Sequence, residues 1–219
     1  MRKLVKEVNL LKPGLSEKFR GNSIRVRINN MQLLDIGGQE GPKFRAKIKI
    51  KNYENIYFVK EFYEAYDKGF VEDCLRSFIL LKKHNFPVPD VLRYFIDDSK
   101  LYLVMSDMTE NGKYRMWGYS DCMSQEQTDE LREMNLTGKD LKVIENKALR
   151  IAHKAGNLNF RLEFYNYHIR KHKKTGAMSI CLLDVLDVDS YVYSPKRASQ
   201  YNLTEVSRFM EFLKFYNMQ

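Results

Sequence analysis

Two residues in the first third of the chain are of the types that a phosphate-binding site needs. Lys60 lies at the end of an apolar segment, within Val59-Lys60-Glu61, and Glu72 lies on the helix-like segment that follows. Phosphoryl transfer from a nucleotide needs a cation on the phosphates, an anion that holds this cation in place, and a carboxylate for magnesium. Many strands and helices carry such a pair by chance, so the surrounding elements decide its meaning.

The period of the apolar residues predicts the elements around Lys60. Apolar residues that alternate with basic ones predict strands, and an apolar spacing of three and four residues predicts a helix. The helix must end before Pro87. The predicted order is three strands in an antiparallel meander, one helix and two further strands, at Ile24–Ile28, Ala46–Lys51, Ile56–Phe62, Val71–Ile79, Val91–Phe95 and Leu101–Met105.

The rest of the chain is predicted to be mainly helical. Asn111–Ser124, which carries Trp117, is predicted to be a loop, and the change in composition at Asn111 is the candidate domain boundary. A hairpin is expected around Lys173–Gly176 because extended segments precede and follow this turn. The predicted elements are helices at Gln125–Met134, Lys139–Ala155 and Thr204–Asn217 and strands at Tyr165–Arg170 and Met178–Val185.

Composition and charge narrow the classes of function. The chain has 219 residues, enough for one domain or two small lobes around one cleft. With 44% apolar and 30% charged residues it is expected to fold. No apolar stretch reaches the roughly 20 residues of a membrane span, and the N-terminus lacks the pattern of a secretory signal, so we expect a cytoplasmic protein. The net charge of +9 favours an anionic partner.

The segment from Phe58 to Met108 resembles the first lobe of the protein-kinase-like phosphotransferases. Its Pro87-Val88-Pro89 turn resembles the Pro-Val-Pro turn that follows the αC helix of that family, and Leu101–Met105 resembles the strand that opens the family's hinge. This resemblance implies an α+β, bilobal fold. An antiparallel sheet with the αC helix would occupy residues 1–110, and a short, mainly helical lobe would occupy residues 111–219.

The same resemblance implies a site for ATP. Lys60 would contact the α- and β-phosphates, Glu72 would orient Lys60, and the backbone of Ser106 to Met108 would hydrogen-bond adenine. The turn Gly37-Gly38-Gln39-Glu40-Gly41 stands where the family has its phosphate-covering loop, although it does not spell GxGxxG. The residues implied to bind ATP are therefore Gly37, Gly38, Lys60, Ser106, Asp107 and Met108.

Two further motifs match later landmarks of the family. Ala152-His153-Lys154-Ala155-Gly156 resembles the helix end Leu-His-x-x-Gly, and Leu182-Leu183-Asp184-Val185 resembles the strand Leu-Ile-Asp-Phe. The second match implies that Asp184 is a ligand of Mg²⁺, an ion that prefers carboxylate oxygens. Asp187 and Asp189 compete for this role, but neither is followed by the glycine that the family has there.

The loop between these motifs fits the family in two registers. Without a gap after Gly156, Asn166 takes the place of the metal-binding Asn and Arg161 that of the catalytic Asp, as in a pseudokinase. With one residue inserted, Glu163–Ile169 resembles the Asp-Phe-Tyr-x-Cys-His-Phe loop of the lipopolysaccharide core (Kdo and heptose) kinases. Glu163 then stands for the catalytic Asp and His168 for the metal-binding Asn. We prefer the second register because Phe164, Tyr165 and His168 match in spacing, and because the basic segment and final helix near the end of the chain also resemble those kinases.

These matches predict a kinase that uses ATP and Mg²⁺. The implied acceptor is a sugar of the lipopolysaccharide core or a related anionic glycolipid, met by peripheral contact with the inner membrane, and no nucleic-acid partner is expected. The alternatives are a pseudokinase scaffold and a kinase of a protein or small molecule. A Glu in place of the Asp moves the carboxylate by more than about 1 Å, which can lower a rate on the order of 100-fold, so the sequence predicts fold more firmly than activity.

Overall fold

The chain has a mixed α+β fold, which confirms the α+β part of the predicted fold class. A computed structural model describes residues 4–9, 23–34, 43–50, 53–63, 68–97, 100–119, 125–185, 188 and 194–218. Its elements are β1 (Leu4–Asn9), β2 (Ser23–Leu34), β3 (Lys43–Ile50), β4 (Tyr53–Phe62), α1 (Lys68–Lys83), β5 (Val91–Asp97), β6 (Lys100–Ser106), β7 (Tyr114–Gly118), α2 (Gln125–Met134), α3 (Gly138–Asn157), a 3₁₀ turn (Phe164–Asn166), β8 (Tyr167–His172), β9 (Met178–Leu182) and α4 (Pro195–Asn217).

The strands up to β6 form one six-stranded antiparallel sheet in the order β1-β2-β3-β4-β6-β5. The predicted meander and the two strands after α1 are therefore confirmed. The expected count of three strands before the helix was wrong, because β1 precedes them and pairs with β2 from Leu4 opposite Ile28 to Asn9 opposite Ser23. Its six residues are too short and too mixed in polarity to display a period.

The remaining strands form a second, three-stranded antiparallel sheet in the order β7-β8-β9. β8 and β9 are the predicted hairpin, whereas β7 lies within the segment predicted to be a loop. Tyr114 pairs with His172 and Gly118 with His168, and Trp117 is only 2% exposed. A five-residue strand carries too little pattern to be recognised, so its pairing with β8 is visible only in the fold.

The second half supplies three long helices. α2 has the predicted bounds, and α3 begins with a capping box in which Thr137 Oγ1 accepts from the Asp140 N–H and Asp140 accepts from the Thr137 N–H. α4 begins at Pro195, well before the predicted start at Thr204. The Ser194 side chain caps it, and proline suits the first turn of a helix. The helix therefore begins at this cap, although its first residues are polar and show no apolar period.

α3 and α4 pack against each other in the core, and Gly156 sets how closely they approach. A Cβ added to Gly156 would lie 2.1 Å from Oγ and 2.6 Å from Cα of Ser199 on α4. Ala148, Ala152 and Ala155 on the same helix are fully buried. The small residues of α3 thus allow α4 to lie close against it.

We predict that Gly156→Ala lowers the free energy of unfolding by about 1–3 kcal/mol, because the added methyl group overpacks the contact with the Ser199 backbone. Gly138→Ala is the matched control, since nothing lies within 4 Å of a Cβ at this position. The control should leave stability unchanged or raise it by up to about 1 kcal/mol. Urea unfolding measures both variants, and equal stability of the two would contradict the close approach.

Candidate functional site

An ion pair between Lys60 and Asp184 lies at the centre of the candidate site. Lys60 is near the end of β4 and is 5% exposed, and Asp184 follows β9. Lys60 Nζ lies 2.7 Å from Asp184 Oδ1, across 124 residues of sequence. This contact joins the six-stranded sheet to the loop that leaves the three-stranded sheet. It brings together the predicted phosphate-binding lysine and the predicted magnesium ligand.

The backbone around Asp184 is held in an unusual conformation by Asn166. Asp184 has a φ of 51°, a region that non-glycine residues rarely adopt and that concentrates at functional sites. The buried Asn166 amide donates to Asp184 O at 2.8 Å and to Leu183 O at 3.3 Å, and its oxygen accepts from the Glu163 N–H at 2.7 Å. Both ends of this amide bind backbone, so Asn166 joins the Glu163 loop to the Asp184 loop.

The charges around Asp184 favour its ionised form. Burial raises the pKa of this carboxyl group, but the positive charge of Lys60 and the additional effects of His168 and Lys43 outweigh burial. The net result is a pKa well below the usual value of an aspartate. Asp184 is therefore a carboxylate at neutral pH, and its side chain is 32% exposed.

His168 belongs to the same cluster. It lies on β8 between Gly118 and Cys181 in the register of the small sheet, and its Nδ1 is 3.3 Å from Asn166 O. Burial lowers the pKa of His168, and Asp184 only partly opposes this, so the imidazole is neutral at neutral pH. A Cβ on Gly118 would lie 2.1 Å from His168 Cδ2. Only glycine at 118 leaves room for the ring in this position.

Glu163, the predicted catalytic carboxylate, lies in a second polar cluster with Arg161 and Tyr201. Glu163 Oε1 is 2.5 Å from Arg161 Nη2, and Glu163 Oε2 accepts a hydrogen bond of 2.6 Å from the Tyr201 hydroxyl. Arg161 also donates to the Tyr201 hydroxyl at 2.9 Å and lies over the Tyr201 ring. The residues that the two registers assign to the catalytic position thus contact each other directly.

Charged groups of both clusters act on Tyr165. Burial, together with the negative charges of Glu163 and Asp184, raises the pKa of this phenol to about 12 against the opposing effect of Arg161. The ring is 38% exposed. Glu163 and Asp184 therefore both act on the same partly exposed side chain.

Side chains of α4 anchor the loop that carries Glu163. Asn202 is fully buried, accepts from the Leu162 N–H at 2.9 Å and donates to Phe160 O at 2.8 Å. One turn later, Glu205 accepts from the Phe164 N–H at 3.0 Å. Sequence reasoning missed Tyr201, Asn202 and Glu205. The available signal was the presence of an amide and a carboxylate on the apolar side of an amphipathic helix, where a polar side chain needs a partner.

The predicted adenine-binding segment is a structured turn. The Ser106 N–H donates to Asp90 O at 2.8 Å, and Ser106 Oγ accepts from the Asp90 N–H. The Asp107 carboxylate accepts from the Thr109 and Asn111 N–H groups at 2.9 and 3.1 Å. The side chains of Ser106 and Asp107 therefore stabilise the backbone conformation of this turn. Met108 follows Asp107 in the turn and is half-buried.

The remaining predicted site residues lie on α1 or outside the described residues. Glu72 lies on α1 and is half-buried. Gly37 and Gly38, and with them the predicted phosphate-covering turn, lie outside the described residues, as do Asp187 and Asp189.

The cluster fits magnesium only in combination with phosphate. No group of three or more His, Cys, Asp or Glu side chains within the described ranges is arranged to hold a metal ion. Mg²⁺ keeps several waters and commonly takes one or two protein carboxylates together with substrate phosphates. Asp184 meets this requirement. His168 offers a neutral nitrogen, which suits magnesium less well than an oxygen does.

Comparison with known proteins leaves the family open. No model of a known protein family matches the chain, and no curated protein matches it in sequence. Within the residues that the structure describes, no helix has the length and apolar character needed to cross a bilayer.

We predict that Asp184→Asn lowers the free energy of unfolding at pH 7 by about 1–3 kcal/mol, less than for a fully buried pair because Asp184 is partly exposed. The pKa of Asp184 is lower in the folded than in the unfolded state. Its contribution is therefore present above about pH 4 and is lost as the pH falls below that value. Urea unfolding between about pH 3 and 7 should show the difference between wild type and variant shrinking with acid. A difference independent of pH would contradict the ionised pair.

Proposed function

We propose that the chain is a nucleotide-dependent phosphotransferase of the protein-kinase-like type, with its nucleotide between the six-stranded sheet and the loops after α3 and β9. The observation that carries this proposal is the 2.7 Å ion pair between buried Lys60 and Asp184. A buried cation beside an ionised carboxylate is the pairing that a phosphate–magnesium complex requires. The order of the matching motifs along the chain supports the same interpretation.

Lys60 and Asp184 have complementary roles in this proposal. The Lys60 ammonium binds phosphate oxygens, and its burial strengthens that attraction relative to the same contact in water. Asp184 would hold Mg²⁺, which supplies charge neutralisation on the phosphates when it is bound. Asn166 fixes the Asp184 backbone through the bonds to Leu183 O and Asp184 O. The position of the carboxylate is therefore set before the nucleotide arrives, which lowers the cost of reorganisation.

Glu163 is the proposed proton acceptor. The acceptor hydroxyl oxygen forms a bond to the γ-phosphorus while the bond between that phosphorus and the β,γ-bridging oxygen breaks, and the hydroxyl proton passes to the Glu163 carboxylate. ADP leaves with the electron pair of the broken bond. Arg161 and Tyr201 contact one oxygen each of Glu163. The contact of Tyr201 with Oε2 has to open, or be shared, for that oxygen to accept the proton.

The proposed acceptor is a sugar hydroxyl of the lipopolysaccharide core or of a related anionic glycolipid. The support is the spacing of Glu163, Phe164, Tyr165 and His168, together with the net charge of +9, which favours an anionic acceptor. The proximity of His168 to Asp184 supports the register that contains the inserted residue.

A specific observation favours a second candidate function, a scaffold that binds nucleotide without transferring phosphate. Both carboxylate oxygens of Glu163 have protein partners, Arg161 on Oε1 and Tyr201 on Oε2. Arg161 is also the residue that the register without a gap puts at the catalytic position. A carboxylate held in this way is less able to accept a proton from a substrate.

We predict that Mg-ATP raises the thermal midpoint of the wild-type protein by about 5–10 °C when ATP is at about 100 times its Kd. Lys60→Met should abolish most of this shift because it removes the buried cation and keeps a similar side-chain volume. Lys139→Met is the matched control, since Lys139 is exposed on α3. Differential scanning fluorimetry measures the shift. A wild-type protein without any shift would overturn the proposal and its scaffold alternative together.

We also predict that Glu163→Gln and Asp184→Asn each lower the rate of ADP formation by at least about 100-fold, the usual scale for loss of an acid–base group. Tyr201→Phe should keep activity or raise it, because it frees one oxygen of Glu163 and keeps the ring over Arg161. A coupled assay of ADP release measures all three. Unchanged activity in Glu163→Gln would refute the role of this residue, and nucleotide binding without turnover in the wild-type protein would favour the scaffold.

A further inference from the structure

An arginine of α4 lies beside the loop that carries the proposed proton acceptor. Arg208 comes seven residues after Tyr201, about two helical turns, so both lie on the same side of α4. The Tyr201 hydroxyl lies 2.6 Å from Glu163 Oε2. The Arg208 guanidinium lies over the ring of Phe164, with Cζ 4.4 Å from the ring centroid. Arg208 therefore contacts the residue that directly follows Glu163 in the chain.

Two contacts fix the position of the Arg208 side chain. Besides lying over the Phe164 ring, its Nη1 donates to Glu205 Oε1 at 3.0 Å. Glu205 is 3% exposed and accepts from the Phe164 N–H through its other oxygen, so it holds the guanidinium from inside the protein. The Arg208 side chain is nevertheless 49% exposed. A cation that is already held in place loses less conformational entropy when it binds a ligand.

Arg208 keeps hydrogen-bond donors that a ligand can use. A guanidinium carries five N–H donors, and among the described residues Glu205 is the only hydrogen-bonding partner of Arg208, through Nη1. Glu205 also balances the charge of Arg208, so the capacity for a ligand lies in the remaining donors. Their planar arrangement matches the oxygens of a carboxylate or a phosphate group. Arg208 can therefore bind such a group while its contact with Glu205 remains.

An anionic acceptor benefits from a cation at this place. The hydroxyl that reacts has to reach Glu163, and both this carboxylate and the transferred phosphoryl group are negatively charged. An acceptor with a carboxylate or phosphate group of its own is repelled by both. Charge-assisted hydrogen bonds from Arg208 to that group would oppose the repulsion and orient the acceptor towards Glu163.

We propose that Arg208 is a specificity-determining residue that binds a carboxylate or phosphate group of the acceptor while the acceptor's hydroxyl lies at Glu163. This proposal rests on the proposed function, because Glu163 accepts a proton only in that function. It extends the function by assigning the residue that distinguishes anionic acceptors from neutral ones. If Arg208 serves only to hold Glu205 and cover Phe164, its replacement affects all acceptors equally.

The test is steady-state ADP release by the full chain with Mg-ATP and deacylated lipopolysaccharide core oligosaccharide as acceptor. The oligosaccharide is used intact, after removal of its phosphates with hydrogen fluoride, after reduction of its carboxyl groups to alcohols, and after both treatments. Arg208→Gln should raise KM for the intact acceptor by about 10- to 100-fold, the equivalent of one lost charge-assisted hydrogen bond. Its kcat should change by less than about 3-fold, because the contact is the same in the ground state and the transition state.

The treated acceptors identify the group that Arg208 binds. The treatment that makes KM equal in wild type and Arg208→Gln removes that group, and the doubly treated acceptor should show no difference. Arg208→Lys, which keeps the charge, should recover part of the loss and covers the case in which Arg208→Gln fails to fold. Arg150→Gln is the matched control, since Arg150 is exposed on α3.

The outcomes separate this proposal from the one on which it rests. The role of Arg208 is overturned if Arg208→Gln behaves like Arg150→Gln on the intact acceptor, or if it impairs intact and doubly treated acceptors equally. The nucleotide site then stands if Lys60→Met still abolishes the thermal shift with Mg-ATP. If the wild-type protein transfers phosphate to no form of the oligosaccharide, the role of Arg208 and the proposed acceptor are both overturned, and the same thermal shift decides whether nucleotide binding stands.

Discussion

The ion pair between Lys60 and Asp184 is the contact on which the rest of the site depends. It joins two segments 124 residues apart, one at the end of β4 and one after β9. Neither sheet could hold this contact alone. Asp184 is brought to Lys60 by a backbone in the left-handed region, and Asn166 secures that backbone through bonds to two carbonyl oxygens. The geometry of a single charged contact therefore rests on a buried amide in a different loop.

The same loop is held from its other side by α4. Asn202 and Glu205 bind backbone N–H groups of Leu162 and Phe164, and Tyr201 binds the side chain of Glu163 itself. Asn166 then links Glu163 to Asp184. If α4 shifted, its side chains Tyr201, Asn202 and Glu205 would displace the loop that carries Glu163. Asn166 would then displace the backbone of Asp184. The position of α4 is itself set by its close packing against Gly156 of α3.

Sequence reasoning predicted the elements with a clear period and missed those defined by pairing or capping. The apolar period located α1, α2 and α3 and most strands of the large sheet. β7 was missed because five residues carry no readable period, and the start of α4 was missed because Ser194 and Pro195 act through local capping. Lys60 and Asp184 were predicted from motif resemblance. The pairing of Lys43 with Lys60 was not predicted, because the register between two strands is a property of the fold.

The polar residues of the site differ in what they do for the fold, and this difference bears on function. Asn166, Asn202 and Glu205 satisfy buried backbone groups, so the chain needs them for stability whether or not it transfers phosphate. Lys60 and Asp184 differ from these residues because they pair their charges across 124 residues of sequence. Their contact depends on Asn166, which holds the Asp184 backbone, so this amide serves the position of the carboxylate as well as its own hydrogen bonds.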